Sequence, residues 1–293
     1  MKKIILCVLL VIMCFPLLGF SKKDKMVEEI SQLKIELSKP QNEISSVVMH
    51  AGGVTDSGIL GSNSLQAVEN SYNNGYRVYE IDFCWTEDGE LVCIHDWDAY
   101  YAKRQGKKSL SLEEFEKVRY STYGFTSLTL DHLCEWIRRH PDVLIITDIK
   151  ENCTSGAKLI AEKYPYLRDN FCIQIYRKEE FDEVKSLGFD KIIWTLYQLP
   201  EDEKQDFDDI IEFSKTHELS GITFSIESIN SHPEYIKKLQ EANVPLFVHT
   251  VNDKKLQQEL IKSGISGIYT DYGSYFAEAK KGKVEKEIFL KKI

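Results

Sequence analysis

Tyr76-Arg77-Val78-Tyr79-Glu80-Ile81-Asp82-Phe83-Cys84-Trp85 reads as a β-strand, and Leu91-Val92-Cys93-Ile94-His95 reads as its return. Side chains alternate across a pleated strand, so Glu80 and Asp82 share one face while Tyr79, Ile81 and Phe83 share the other. Two hard oxygen ligands on one face can share a divalent cation. Asp88-Gly89 lies between the two apolar-rich runs and predicts a two-residue type I′ turn. Counting back from that turn, Glu87 faces Glu90, Cys84 faces Cys93, and Asp82 faces His95. Taken singly, an acidic pair on a strand is ordinarily a solvated face, and a single histidine is ordinarily a packed or surface residue. Their conjunction opposite an apolar face points elsewhere, because a barrel would enclose these charges and enclosed charges need a partner or a metal.

Outward from this hairpin, short apolar runs alternate with helical patterns. Strands are expected over 46–50, 76–85 with its return 91–95, 143–150, 171–176, 191–197, 221–225, 245–251 and 267–270. Helices are expected over 64–74, 129–139, 154–163, 178–186, 202–216, 232–242 and 253–263. Strands separated by helices are parallel βαβ units. A (β/α)₈ barrel is favoured over a doubly wound sheet because the polar candidates sit toward the C-terminal ends of several strands: His50, then Glu80 and Asp82, then Asp148 and Lys150. The segment from Trp97 to Ser127 interrupts the alternation with aromatic and basic residues. It reads equally as a helix packed beside the barrel and as a substrate-gripping lid.

The chain has 293 residues, enough for one large α/β domain. Its net charge of -9 argues against a nucleic-acid binder, which would need a concentrated basic face. Lys2-Lys3 followed by an apolar run from Ile4 to Phe20 marks residues 1–21 as a signal peptide or an N-terminal membrane anchor. Residues 22–44 read as a charged helical stem and residues 45–293 as the barrel. The expected location is therefore secreted, periplasmic or anchored on the outer face of the cytoplasmic membrane, with membrane association through the N-terminus. Five cysteines follow the targeting segment without C-x-x-C spacing, which excludes a disulfide-stapled scaffold. Cys84 and Cys93 form the one candidate bridge.

His50 in an H-x-G context, Asn63-Ser64-Leu65-Gln66-Ala67, Glu80-Ile81-Asp82, Thr86-Glu87-Asp88-Gly89, His95-Asp96, Asp148-Ile149-Lys150, Thr250-Val251-Asn252 and Gly267-Ile268-Tyr269-Thr270-Asp271-Tyr272 follow one another in a specific order. In that order they resemble the glycerophosphodiester phosphodiesterase family, within the phosphatidylinositol phospholipase C-like superfamily. The resemblance implies a metal-dependent phosphodiesterase barrel. It matches His50 and His95 to two catalytic histidines, Glu80 and Asp82 to two metal ligands, Asp148 to the position of the third, and Lys150 to a basic residue near the phosphate. One divalent cation, Ca²⁺ or Mg²⁺, suits a ligand set of oxygens only. The chain departs from the family in Ala51 where H-R-G has arginine, in Ser62 where a glutamate precedes the N-T motif, and in His249 where a tryptophan is usual. His249 reads as a packed barrel histidine or as a third site histidine. Asn63 belongs to the resemblance's second motif and has a purely structural alternative as a helix N-cap, with Gln66 completing a capping box.

The function these residues imply is hydrolysis of a glycerophosphodiester, releasing an alcohol and a phosphomonoester, with the two histidines as acid and base. Phospholipase C- or D-like cleavage of a lipid phosphodiester is the neighbouring alternative. A non-catalytic barrel that binds an envelope polymer is the alternative from another class. The partner in the first two cases is a small-molecule or lipid-derived phosphodiester.

Overall fold

The computed structural model describes residue 44 and residues 46–97, 106–120, 124–199 and 207–273. The N-terminal segment 1–21, nearly all of the stem, and the 98–105 and 121–123 parts of the aromatic and basic insertion lie outside the described residues. Among the described residues no helix is long and apolar enough to cross a membrane.

Eight parallel strands close on themselves. They are β1 (Val47–Met49), β2 (Val78–Trp85), β5 (Leu144–Ile149), β6 (Phe171–Ile175), β7 (Ile192–Thr195), β8 (Gly221–Ser225), β9 (Leu246–His249) and β10 (Gly267–Thr270). Each pairs with the next, β10 returns to β1 and β1 pairs with β2, which makes the (β/α)₈ barrel. Two short strands, β3 (Leu91–Cys93) and β4 (Leu128–Thr129), extend β2 as an antiparallel flap. The helices are α1 (Leu65–Asn73), α2 (Leu112–Val118), α3 (Leu130–Arg139), α4 (Cys153–Lys163), α5 (Phe181–Ser186), α6 (Phe207–Thr216), α7 (Ile226–Ser231), α8 (Glu234–Glu241) and α9 (Lys254–Lys262).

Alternation along the strands divides two cores. Inward residues Val48, Val78, Ile146, Cys172, Ile193 and Phe247 fill the barrel floor. Outward residues such as Tyr79, Ile81, Ile145 and Ile173 meet the helices, where Trp136 of α3 is fully buried and lies edge-on to Tyr79 at 5.7 Å between ring centroids. Truncating a buried tryptophan of this kind to alanine costs roughly 3–5 kcal/mol. The described part of the insertion builds a third small core, in which Leu110, just before α2, and Phe115 of α2 pack with Val92 and Ile94. Within the described residues the insertion is a packed helix beside the barrel.

The hairpin differs from its expected register. Cys84 pairs with Val92 and Trp85 with Leu91, so the turn holds three residues, Glu87-Asp88-Gly89. Gly89 has φ +83°, the left-handed conformation that ends a three-residue loop. The physical reason lies in the neighbours of Asp88-Gly89. Thr86 Oγ1 accepts the Glu90 N–H at 2.9 Å, which closes the wider loop, and Asp88 Oδ1 accepts the Leu112 N–H to hold the start of α2. A one-residue slip sends alternate side chains to opposite faces. Cys93 therefore joins the core under the helices while Cys84 donates its thiol to the Ile94 carbonyl, and both are free cysteines. The candidate bridge between them is not formed in the structure.

Candidate active site

β2 carries Glu80 and Asp82 into the barrel mouth, and its register with β5 sets Asp148 directly beside Asp82. The three carboxylates are buried, and each offers an oxygen within 4.8 Å of the others. Among the described residues this is the cluster whose spacing suits a metal ion. Each acid is held by named donors. The Ala51 N–H donates to Glu80 Oε2 at 2.8 Å, and Asn63 Nδ2 donates to Asp82 Oδ2 at 2.9 Å. Lys150 Nζ lies 2.8 Å from Asp82 Oδ1 and 3.4 Å from Asp148 Oδ2. Gln174 Nε2 and the Tyr176 hydroxyl both donate to Asp148 Oδ1.

The turn after β1 explains the H-A-G-G sequence. Ala51 adopts φ 47°, which aims its N–H at Glu80. Gly53 follows at φ +95°, and a Cβ there would stand 2.3 Å from the Ser71 hydroxyl of α1. Glycine is thus required at residue 53 by both conformation and space. Asn63 is not the cap of α1, because Ser64 accepts the Ala67 N–H and fills that role. Gln66 does not complete a capping box either; it bonds Thr126, donating to its hydroxyl and accepting from its N–H. Asn63 sits at φ 47° and turns both ends of its amide to Asp82, also accepting the Asp82 N–H at 3.0 Å.

The electrostatics of the cluster follow from burial. Desolvation, then the charge of Asp82, pushes Glu80 up to about 8 and Asp148 up to about 7. Burial works against ionisation of Asp82 too, but Lys150, His95 and His50 outweigh it and hold that carboxyl at about 2. Lys150 is raised because Asp82 and Asp148 overcome its own desolvation. Two of three enclosed acids thus resist ionisation beside one lysine. Such a donor set, all oxygen and short of positive charge, fits a hard divalent cation.

His50 stands at the end of β1 and gives Nδ1 to Asp271 Oδ1 at 2.7 Å. Burial lowers its basicity, yet the Asp271 hydrogen bond and the charges of Glu80, Asp271 and Asp82 raise it to about 10. Asp271 is itself fixed: Asn252 Nδ2 donates to its Oδ2 at 2.6 Å and Asn252 Oδ1 accepts its backbone N–H at 2.9 Å. His95 leaves the flap just past β3, where the Ile94 N–H turns back to the Val92 carbonyl at 3.2 Å. Its ring is exposed, contacts Asp96 Oδ2 at 2.8 Å, and lies close enough to Asp82 for its charge to act there. All six residues singled out in the sequence, His50, Glu80, Asp82, His95, Asp148 and Lys150, therefore gather at one end of the barrel.

Asp271, Gln174 and Tyr176 belong to this assembly without having been singled out as site residues. Asp271 was within reach of sequence reasoning, since it follows the last strand as His50 follows the first. Gln174 and Tyr176 carry no such signal, because they are polar members of an otherwise apolar strand region. His249 lies on the wall of β9 and behaves as neither a free nor a fully satisfied histidine. Burial and the nearby charge of His50 hold it down to about 4, and its Nε2 has no hydrogen-bond partner among the described residues.

Comparison with known proteins agrees with this fold. A glycerophosphodiester phosphodiesterase of Caldanaerobacter subterraneus subsp. tengcongensis is 26% identical over 240 residues, covering 77% of this chain and 93% of that protein. A glycerophosphodiester phosphodiesterase from Thermotoga maritima shares the fold with a TM-score of 0.60 at 20% identity, covering 79% of this chain and 96% of that one. An Oleispira antarctica phosphodiesterase in complex with the product sn-glycerol-3-phosphate superposes with a TM-score of 0.58 at 17% identity, covering 78% and 94% respectively. The model of the glycerophosphoryl diester phosphodiesterase family matches residues 53–273, and this chain, a phosphoric diester hydrolase of that type, belongs to that family.

Proposed function

We propose that the protein hydrolyses a glycerophosphodiester with a divalent cation held by Glu80, Asp82 and Asp148, releasing an alcohol and a phosphomonoester. The observation that carries this reading is the meeting, in one barrel mouth, of the buried acidic triad and the His50–Asp271 pair. A cation bound there, Ca²⁺ or Mg²⁺, would neutralise charge on the phosphoryl oxygens.

The chain's own groups supply the proton transfers. His95, open to solvent and next to Asp96, takes the proton from the attacking oxygen as it bonds to phosphorus, either a water, which gives the monoester directly, or the neighbouring hydroxyl, which gives a cyclic diester that a water then opens with the two histidines exchanging roles. The bond from phosphorus to the leaving alcohol then breaks. His50, whose Nδ1 is committed to Asp271, gives a proton from Nε2 to the departing oxygen. Lys150, with its ammonium between Asp82 and Asp148, stands where a non-bridging phosphoryl oxygen would meet a positive charge. Ala51 supplies no charge at that point, so Lys150 takes on the neutralising role that H-R-G arginines suggest for the family. The apolar run from Ile4 to Phe20 supports export of this activity. The product complex of the Oleispira antarctica relative supports a glycerol phosphate product here as well.

The test is hydrolysis of a panel of glycerophosphodiesters, lysolipids and phosphatidylinositol by purified protein, with and without chelator. Turnover of glycerophosphodiesters that chelation abolishes and Ca²⁺ or Mg²⁺ restores is expected. Turnover of the lipids alone, or activity that persists in chelator, would overturn the reading.

A further inference from the structure

Each acid of the triad has an oxygen engaged by an uncharged donor. Glu80 Oε2 accepts the Ala51 N–H at 2.8 Å, and Asp82 Oδ2 accepts from Asn63 Nδ2 at 2.9 Å. Asp148 Oδ1 accepts twice, from Gln174 Nε2 at 3.1 Å and from the Tyr176 hydroxyl. An ionised carboxylate has about two acceptor sites on each oxygen, so this pair of donors fills Oδ1. Oδ2 is left to face the triad, where Lys150 Nζ stands 3.4 Å away.

The chain around the two donors holds them in place. Gln174 lies on β6, and its backbone N–H donates to Thr147 Oγ1 on the neighbouring strand at 3.3 Å. Its side chain also donates to the Tyr176 hydroxyl at 3.4 Å, which leaves the tyrosine its own proton for Asp148. Just past β6, Tyr176 is tied at both backbone groups. Its N–H donates to Glu180 Oε2 at 2.7 Å, and its carbonyl accepts from Trp194 Nε1 at 3.2 Å. Its ring meets Tyr197 edge-on at 6.0 Å between centroids. Gln174 and Tyr176 are each only 4% exposed, so water has little access to replace them on Asp148. Turning Oδ1 toward the triad would leave two buried donors without an acceptor, which is costly.

This restraint discriminates between the two cations that an all-oxygen triad suits. Ca²⁺ gathers roughly six to eight oxygens and commonly takes a carboxylate through both of its own. Mg²⁺ takes fewer ligands and keeps several waters, so acids that give one oxygen apiece suffice and leave places for water and a phosphoryl oxygen.

We propose that Gln174 and Tyr176 are selectivity-determining positioning residues, which restrict Asp148 to one oxygen and so make the triad a site for Mg²⁺ in preference to Ca²⁺. This rests on the reading of Glu80, Asp82 and Asp148 as cation ligands and names which cation they take.

The test is isothermal titration calorimetry of the full chain, stripped of metal with chelator and dialysed, with Mg²⁺ and Ca²⁺ in separate titrations. The readout is the ratio of the two Kd values, which a general loosening of the site would leave in place. Wild type should bind Mg²⁺ the more tightly. Gln174→Leu combined with Tyr176→Phe frees Asp148 Oδ1 and should move the ratio roughly tenfold toward Ca²⁺. Tyr176→Phe alone should move it part of the way, and it carries the test if melting curves show that the double variant does not fold. A wild type that binds Ca²⁺ the more tightly, or a ratio unmoved in folded variants, would overturn the selectivity role while leaving the acids as ligands. Asp148→Asn should weaken both cations. Affinities unchanged in Asp148→Asn, or a wild type that binds neither cation, would overturn the metal reading and the selectivity role with it.

Discussion

His50 Nδ1 and Asp271 Oδ1 lie 2.7 Å apart although 221 residues separate them, one just past the first barrel strand and the other just past the last. The carboxylate fixes the imidazole tautomer and keeps its proton available. Asp271→Asn is expected to lower kcat by on the order of 10²-fold with little change in KM. Diesters with an activated leaving group such as p-nitrophenol should lose less, because they need less acid assistance. Equal losses on alkyl and p-nitrophenyl diesters would show that the pair is structural.

Asn63 orders Asp82 from both sides, accepting its N–H and donating to its carboxylate. Asn63→Gly keeps the left-handed conformation at φ 47° accessible but removes both bonds. Affinity for Ca²⁺ or Mg²⁺ should fall by roughly 10- to 100-fold, as when other supports of metal ligands are lost. Isothermal titration calorimetry of the cation reads this without any turnover.

Lys150 touches two acids of the triad. Lys150→Met should lower kcat by roughly 10²- to 10³-fold if its ammonium meets the phosphoryl group in the transition state. The same variant should also melt earlier in chelator, since Asp82 and Asp148 lose their shared partner. A variant with normal kcat and a lowered Tm would limit Lys150 to the second role.

The pH dependence of stability without the cation has a definite sign. Glu80, Asp148 and His50 all bind protons more tightly in the folded chain, rising from 4.5 to about 8, from 3.8 to about 7 and from 6.5 to about 10. A raised folded value gives stability that is present below the unfolded value and lost as pH climbs through the folded one. In chelator Tm should therefore fall as pH rises from about 5 to about 10. Saturating Ca²⁺ or Mg²⁺ should flatten the fall by binding the ionised acids, and a Tm that rises over this interval would contradict the proposed electrostatics.

Cys84 and Cys93 point to different surroundings and should both remain alkylatable after denaturation of air-oxidised protein. Mass mapping that found a bond between them would refute the three-residue turn.

Much of this architecture was legible before the structure. The barrel strands announce themselves through apolar runs, and the E-x-D pattern puts Glu80 and Asp82 on one face by local geometry alone. Asp148 and Lys150 follow from the same alternation on the neighbouring strand. The hairpin register was not legible, because Asp88-Gly89 suits two loop lengths and the Thr86 hydroxyl and the capping of α2 decide between them. Asn63 looked like a cap because its amide partner, Asp82, is remote in sequence. Asp271 could be read from its place after the last strand, whereas Gln174 and Tyr176 became visible as site residues only when strand neighbours across the ring were known.

The seam between β1 and β10 has a consequence for how the chain acquires activity. Because His50 is contributed at one side of that seam and its carboxylate partner at the other, the acid cannot be assembled by either half of the barrel working alone. An incompletely wound ring that joins β2 to β5 would keep the acids able to take up a cation, but would have no proton donor poised for chemistry. Hydrolysis thus serves as a built-in report that the ring has shut, and circular permutants that cut between residues 50 and 65 would separate the timing of metal capture from the onset of turnover.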